Sequence, residues 1–292
     1  MKTFLDCIPC IIRQALEAAK QISTDSAVHE QIIREVLCWI SEMDMTKPAP
    51  AIGQRIHRRL RSMTGQEDPY RKVKDFHNRI VLALLPDLKT AITAAPDPLN
   101  MALRLAIAGN SIDMGVNGHI TESAIHEAVF HALAAPFVGD MDEFRTAVSE
   151  ARHILYLTDN AGEIVLDRLL IEQIGPARVT AAVRGAPAIN DATRADALAV
   201  GLQEIVEVID NGSDAPGTIL DDCSPEFTRR FSEADLILAK GQGNFETLSD
   251  VPKNIYFLFK AKCFVVAEHA HVPLGTHVLI RSRAGLAAGG GL

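Results

Sequence analysis

The stretch Ile154-Leu155-Tyr156-Leu157-Thr158-Asp159-Asn160-Ala161-Gly162-Glu163 carries the reading of the fold. Four apolar residues, a length suited to a buried strand, run into a polar turn that contains glycine. From 164 to 174 the apolar residues return at helical spacing. The succession then recurs. Val179-Thr180-Ala181-Ala182-Val183 runs into Arg184-Gly185-Ala186-Pro187 and a helical pattern over 194–201. Ile205-Val206-Glu207-Val208-Ile209 ends in Asp210-Asn211-Gly212-Ser213, and Leu236-Ile237-Leu238-Ala239 ends in Lys240-Gly241-Gln242-Gly243-Asn244-Phe245-Glu246. Residues 256–259 read as a fifth strand and 278–280 as an edge strand. Strands alternating with helices predict an α/β protein with a mostly parallel sheet and right-handed crossovers.

Upstream of this region the period is helical throughout. Ile11, Ile12, Ala15, Leu16 and Ala19 share one face, and Ile32, Ile33, Val36, Leu37 and Ile40 repeat the pattern. Lys47-Pro48-Ala49-Pro50 interrupts it before Ile52, Ile56 and Leu60 resume. A further helix is expected over 70–85, ending before Pro86, and another from Pro96-Asp97-Pro98 to Gly109. The expected organisation is a helical N-terminal domain over 1–95, then an α/β domain over 96–292.

The chain has 292 residues, 48% hydrophobic and 23% charged, with a formal net charge of -8. That composition supports a globular core. The acidic balance and the lack of a basic stripe argue against nucleic acid as a partner. No run reaches the roughly 20 apolar residues of a membrane span, so no membrane partner is expected. The opening residues carry Asp6, Cys7 and Cys10 where a signal peptide has an apolar core, which predicts a cytoplasmic protein. Five cysteines, an odd count, point to reduced thiols rather than a disulfide framework. His57, His77, His269, His271 and His277 read as core or surface histidines. Oligomeric state is not legible.

In open parallel sheets ligands bind beyond the carboxyl ends of the strands. Four strand ends here bring carboxylates, carboxamides, Arg184, Lys240 and glycine-flanked amides to one rim. Oxygen donors of this kind suit a hard divalent cation, and the cationic groups suit phosphate oxygens. Each turn by itself also fits an ordinary helix N-cap; four together favour a binding site. Cys7-x-x-Cys10 reads either as two reduced thiols on the first helix or, with Cys263, as a second, soft metal site or a redox pair.

Taken in order, Asp6-Cys7-Ile8-Pro9-Cys10, Ala108-Gly109-Asn110-Ser111-Ile112-Asp113, Thr158-Asp159-Asn160-Ala161-Gly162-Glu163, Asn190-Asp191-Ala192-Thr193 and Lys240-Gly241-Gln242-Gly243-Asn244-Phe245-Glu246 resemble the motifs of the damage-control phosphatases. This is the family long labelled domain of unknown function 89, and the resemblance is to its prokaryotic, cysteine-bearing subfamily. It covers essentially the whole chain. It implies a three-layer α/β/α domain behind a helical N-terminal part. It also implies metal-dependent phosphatase action on a small phosphorylated metabolite, such as a sugar phosphate or a phosphopantetheine-type compound.

The resemblance implies a divalent metal (Mn, Co, Ni or Mg) held by Asp159, Asn160 and Asp191, with Asp196 as the rival third ligand. It implies that Lys240 contacts phosphate and that Asn110 and Asp113 line the same pocket. Arg184, Gly241 and Asn244 are further substrate-binding candidates, and Asp113 or Glu163 the candidate base beside metal-activated water. Two other functions fit the sheet: an S-adenosylmethionine-dependent methyltransferase, and a non-enzymatic metal- or phosphometabolite-binding protein. Against the first, the leading strand ends in Asp-Asn-Ala-Gly-Glu rather than in a glycine-rich loop.

Overall fold

The computed structural model describes residues 1–109 and 134–282. Asn110 and Asp113, expected at the site, lie outside these residues. Three helices come first: α1 (Cys7–Ile22), α2 (Ser26–Ser41) and α3 (Ala49–Thr64). Each begins or ends where local chemistry dictates. The Asp25 carboxylate accepts from Ala27 N–H at the start of α2, Pro50 sits in the first turn of α3, and Gly65 closes α3 in the left-handed region. Their inward faces meet in one small core of Ile11, Ala15, Ala18, Ala19, Ile32, Val36, Ile56 and Leu60.

Helix α4 (Arg71–Ala94) runs through Pro86, where the sequence predicts a stop. Proline lacks the N–H that would bond the carbonyl four residues back. Pro86 lies on the exposed face, where that loss is cheapest, while Leu84, Leu88 and Ile92 on the other face are buried. Packing therefore carries the helix across the break. Helix α4 and the following α5 (Pro98–Gly109) bury their apolar residues in the same core as the sheet. The boundary expected at residue 95 thus falls between two helices of one core, and the helices that share a core of their own are α1 to α3.

Seven strands follow: β1 (Phe137–Gly139), β2 (Ile154–Leu157), β3 (Val179–Val183), β4 (Glu207–Asp210), β5 (Leu236–Lys240), β6 (Ile255–Lys260) and β7 (His277–Arg281). The sheet order is β1-β7-β6-β5-β2-β3-β4. Strands β2 to β6 are parallel, whereas β7 is antiparallel to β6 and parallel to β1. The third strand starts two residues later than the expected 205, and β7 is not an edge. The three-residue β1 covers it, a strand too short to declare itself in sequence.

Side chains alternate across the sheet with period two. Ile154, Tyr156, Leu236, Leu238, Tyr256 and Leu258 face α4, α5, α6 (Met141–Glu150) and α7 (Glu163–Ile174). Leu155, Leu157, Ile237, Ala239, Phe257 and Phe259 face α9 (Pro225–Glu233), α10 (Gly241–Leu248) and α11 (Phe264–Ala270). Short α8 (Arg194–Ala199) follows β3. The result is the expected three-layer α/β/α architecture. Connections leave β2 and β5 in opposite directions, so the order reverses between them and a crevice opens beyond their carboxyl ends. Among the described residues no helix is long and apolar enough to cross a membrane.

Helix α3 is tied to the α/β part by polar groups. Gln54 Nε2 donates to Asp214 Oδ1 (2.6 Å) and Asp222 Oδ2 (2.7 Å), Arg58 Nε donates to Asp214, and Arg61 reaches Asp214 and the Pro187 carbonyl. His57 lies beneath this network, buried edge-on against the Tyr70 ring, with no hydrogen-bond partner at Nε2 among the described residues. Burial, with Arg61 nearby, lowers its pKa from 6.5 to about 4. The unfolded chain binds a proton near pH 6.5 that the folded protein refuses until about pH 4. Stability is therefore intact above 6.5 and falls as the pH drops through that window. Replacing His57 by Phe, which keeps an aromatic edge, is expected to flatten the loss in urea-unfolding free energy between pH 6.5 and 5 by at most about 2 kcal/mol. Identical pH slopes for the two proteins would refute this account.

Candidate metal centre and phosphate pocket

The site starts from two loops bonded to each other. After β2, Asp159 C=O accepts from Ala192 N–H at 2.7 Å, and Ala161 N–H donates to Asn190 C=O at 2.9 Å. These bonds pair Asn160 with Asp191 as an isolated bridge, so residues 31 apart in sequence stand side by side. Ile189, just before Asn190, is one of two described non-glycine residues with positive φ (47°), an uncommon conformation that clusters at functional loops.

The side chains converge accordingly. Asn160 Nδ2 donates to Asp159 Oδ2 at 2.7 Å and to Glu163 Oε2 at 3.1 Å. Arg184 Nε donates to Asp191 Oδ2 at 2.6 Å, and its Nη2 lies 3.8 Å from Asp159 Oδ1 without a hydrogen-bond acceptor among the described residues. Arg184 Nη1 reaches Thr218 and Asn244, both at 3.2 Å. Gly241, at φ +78°, lets the start of α10 pass the Asp159 carboxylate: a Cβ there would stand 1.9 Å from Asp159 Oδ2.

Charge explains what the cluster accepts. Burial first, then the Glu163 and Asp191 carboxylates, push Asp159 well above the ordinary carboxylate range. Burial also raises Asp191, against the opposing pull of Arg184. Four buried carboxylates, Asp159, Glu163, Asp167 and Asp191, stand against two buried cations, Arg184 and Lys240, with exposed Lys262 at the rim, so carboxylates outnumber cations. An all-oxygen donor set with this deficit fits a hard divalent cation, which Asp159, Asn160 and Asp191 would hold. Among the described residues no group of three or more His, Cys, Asp or Glu side chains is placed to share an ion; the candidate set contains two aspartates and a carboxamide.

Several expected roles change. Lys240 is completely buried, and its ammonium donates to Glu163 Oε1 (2.5 Å), Asp167 Oδ1 (2.7 Å) and Ala106 C=O (2.8 Å), so all three protons are taken and none faces a phosphate. Glu163 is buried beside it, with one oxygen on Lys240 and the other on Asn160, which removes it as a free base. Asp196 is not a rival ligand. Its carboxylate caps α8 through Thr193 and accepts from Lys74, Arg71 and Asn78. Asn244 is buried, bonded to Arg184, Thr218 and the Lys240 carbonyl, and so braces the site rather than lining it.

The cavity itself, of about 380 Å³, lies between α1, α3 and the strand ends. Asp159, Asn160 and Asp191 form its floor, and Cys7, Cys10, Pro50 and Gly53 its helical wall. Lys262 and Gln242 complete the rim. Lys262 is exposed and close enough to Asp159 to lower its pKa. Lys262 follows the end of β6 as the other site residues follow the ends of their strands, the signal that marks it in the sequence. Cys7, Cys10 and Cys263 share this cavity, and among the described residues they are not gathered into a group that could hold an ion. Cys263 Sγ caps α11 and accepts from Gln242, Cys10 Sγ accepts from Arg13, and burial raises the Cys7 and Cys263 thiols.

Comparison with known proteins gives the family and the fold. A family model described as damage-control phosphatase ARMT1-like domain matches residues 3–278. A damage-control phosphatase of Archaeoglobus fulgidus is 36% identical over 279 residues, covering 93% of this chain and 96% of that protein. A damage-control phosphatase of Pyrococcus horikoshii is 33% identical over 288 residues, covering 97% and 99%. The crystal structure of a DUF89 family protein from Pyrococcus horikoshii superposes with a TM-score of 0.88 at 31% identity, over 97% of this chain and 100% of that one.

The contact at Gly241 gives a direct check. Gly241→Ala adds a methyl group where Asp159 stands and puts an alanine at positive φ. Folding stability is expected to fall by about 1–2 kcal/mol, the usual cost of a left-handed non-glycine residue. Mn²⁺ affinity is expected to fall by more than about tenfold, because Asp159 has to move. Wild-type Mn²⁺ affinity in calorimetry would show that Asp159 does not hold the ion.

Proposed function

The chain belongs to the damage-control phosphatase ARMT1-like family, and we propose that it hydrolyses phosphomonoesters of small metabolites in the cavity above Asp159, Asn160 and Asp191, with a divalent cation as cofactor. The observation that carries this reading is the pairing of a buried, electron-rich floor with an exposed lysine at one small cavity. A phosphate monoester is an anion, so an uncompensated carboxylate floor by itself repels it. A divalent cation on that floor supplies charge neutralisation and Lewis-acid polarisation of the phosphoryl group.

The chain's own groups do the rest. Lys262 approaches from the rim, where its ammonium meets phosphoryl oxygens as charge develops on them. Arg184 stays on Asp191 through Nε and brings Nη2, which has no hydrogen-bond partner among the described residues, to 3.8 Å from Asp159 Oδ1. The helical wall of α1 and α3 restricts the cavity to a compact ligand and limits water around the reacting group. Sugar phosphates and phosphopantetheine-type compounds are the substrate classes to try first. Lys240 enters this reading as a structural partner of Glu163, not as a phosphate contact.

Activity on such a panel with Mn²⁺, Co²⁺, Ni²⁺ or Mg²⁺ tests the proposal. Asp159→Ala is expected to abolish both Mn²⁺ binding and turnover. Lys262→Ala is expected to leave Mn²⁺ affinity within about threefold and to lower kcat/KM by about 10²–10³, the scale for losing one preorganised charge-stabilising group. Equal turnover by Asp159→Ala and wild type would sink the site assignment. Silence of the wild type across the panel would favour a non-enzymatic binding protein.

A further inference from the structure

We propose that Glu163 and Lys240 form a positioning pair that sets the orientation of the Asn160 carboxamide, turning its oxygen rather than its NH₂ toward the cavity; the proposal rests on the reading of that floor as a cation site. A carboxamide has two unlike ends, and a half-turn of the terminal bond exchanges donor for acceptor. Only the oxygen end can serve a cation. Something must therefore prevent Asn160 from presenting its NH₂.

The two protons of Asn160 Nδ2 are directed to two carboxylate oxygens, Asp159 Oδ2 at 2.7 Å and Glu163 Oε2 at 3.1 Å. With the nitrogen held from that side, Oδ1 is left on the other. A half-turn would set Oδ1 against both carboxylates. Asp159 alone supplies one acceptor and belongs to the floor itself. Glu163 supplies the second and lies outside the cavity lining.

Glu163 works as an anchor because it cannot move. It is 1% exposed, sits in the first turn of α7, and packs against α5 so closely that a Cβ at Gly109 would be 3.0 Å from its Cγ. Its other oxygen is clamped by Lys240 Nζ at 2.5 Å. Lys240 is held in turn by Asp167 Oδ1 at 2.7 Å and the Ala106 carbonyl at 2.8 Å, and Tyr156 O–H donates to the same Asp167 oxygen at 2.8 Å. The chain of contacts runs from Tyr156 on β2 through Asp167, Lys240 and Glu163 to Asn160, crossing β2, α7 and β5. Neither Glu163 nor Lys240 touches the cavity, so both act through Asn160. Groups that orient a metal ligand from behind typically change affinity by 10–100-fold when removed.

Two variants separate orientation from charge. Glu163→Asp keeps the carboxylate but withdraws it from Asn160, and Glu163→Gln keeps the length but replaces an acceptor. Mn²⁺ binding by calorimetry is expected to weaken about 10–100-fold in both. Wild-type affinity in Glu163→Asp with loss only in Glu163→Gln would mean that Glu163 acts by charge alone, and would overturn the proposal. In ¹⁵N-asparagine-labelled protein without metal, the Asn160 side-chain amide of the wild type is expected to give two widely separated proton resonances with slow exchange. That signature should collapse toward an exposed asparagine in Glu163→Asp. A solvent-like Asn160 amide in the wild type would refute the positioning role without any variant, even if both variants fail to fold. If the wild type binds no Mn²⁺ yet shows the pinned amide, the orientation stands and the cation reading falls.

Discussion

A charged ammonium sealed inside the protein organises this molecule. Lys240 is wholly buried at the end of β5, where an unpaired charge is very costly. Burial would lower its pKa, but the Asp167 and Glu163 carboxylates more than reverse that and raise it. Breaking such a pair by removing one partner typically costs 3–5 kcal/mol. The lysine therefore requires α7 to bring Glu163 and Asp167, one turn apart, against the strand end, and α5 to bring the Ala106 carbonyl. Once those are placed, the loop between β2 and α7, which carries Asp159 and Asn160, has little freedom left.

A second strap closes the same loop from the opposite side. Gly162 N–H donates to Asn78 Oδ1 at 2.7 Å, and Asn78 Nδ2 donates to Asp196 at 2.9 Å. Asp196 also meets buried Lys74 and caps α8, so α4, the first loop and the second loop form one network. Burial would raise the Asp196 carboxyl, but Lys74 and the Thr193 bonds hold it below the usual range. Rigid elements thus surround the candidate metal ligands, as preorganised chemistry requires. The helical wall is attached differently. Its ties at Asp214 and Asp222 are polar, and Gly53 meets Pro216 with room for only a 3.2 Å Cβ contact. Cavity width therefore depends on a polar, close-packed contact rather than on a shared apolar core.

Much of this is legible in the sequence. The strands β2, β3, β5 and β6 are apolar runs because each is buried on both faces, and that requirement is written locally. The rim of polar turns follows from strand direction, and a bridge between two of those turns sets Asn160 beside Asp191. Other features escaped for specific reasons. Pro86 breaks a helix locally, but packing of Leu84, Leu88 and Ile92 overrides it. Strand β1 is three residues long and exists only because β7 offers it an edge.

The sequence by itself determined the fold class, the strand ends that carry chemistry, and the residue types gathered there, because periodicity and turn chemistry act over a few neighbouring residues. The tertiary structure alone decided which of those polar groups remain available. Lys240 read as a phosphate ligand because it is a cation on the rim and because the family resemblance implies that contact. Its acceptors, however, lie 73, 77 and 134 residues away and close over it. Lys262 looked ordinary and faces the cavity. A side chain's type is local information, whereas its partners are set by elements distant in sequence, and burial with those partners determines whether a charge serves the ligand or the scaffold.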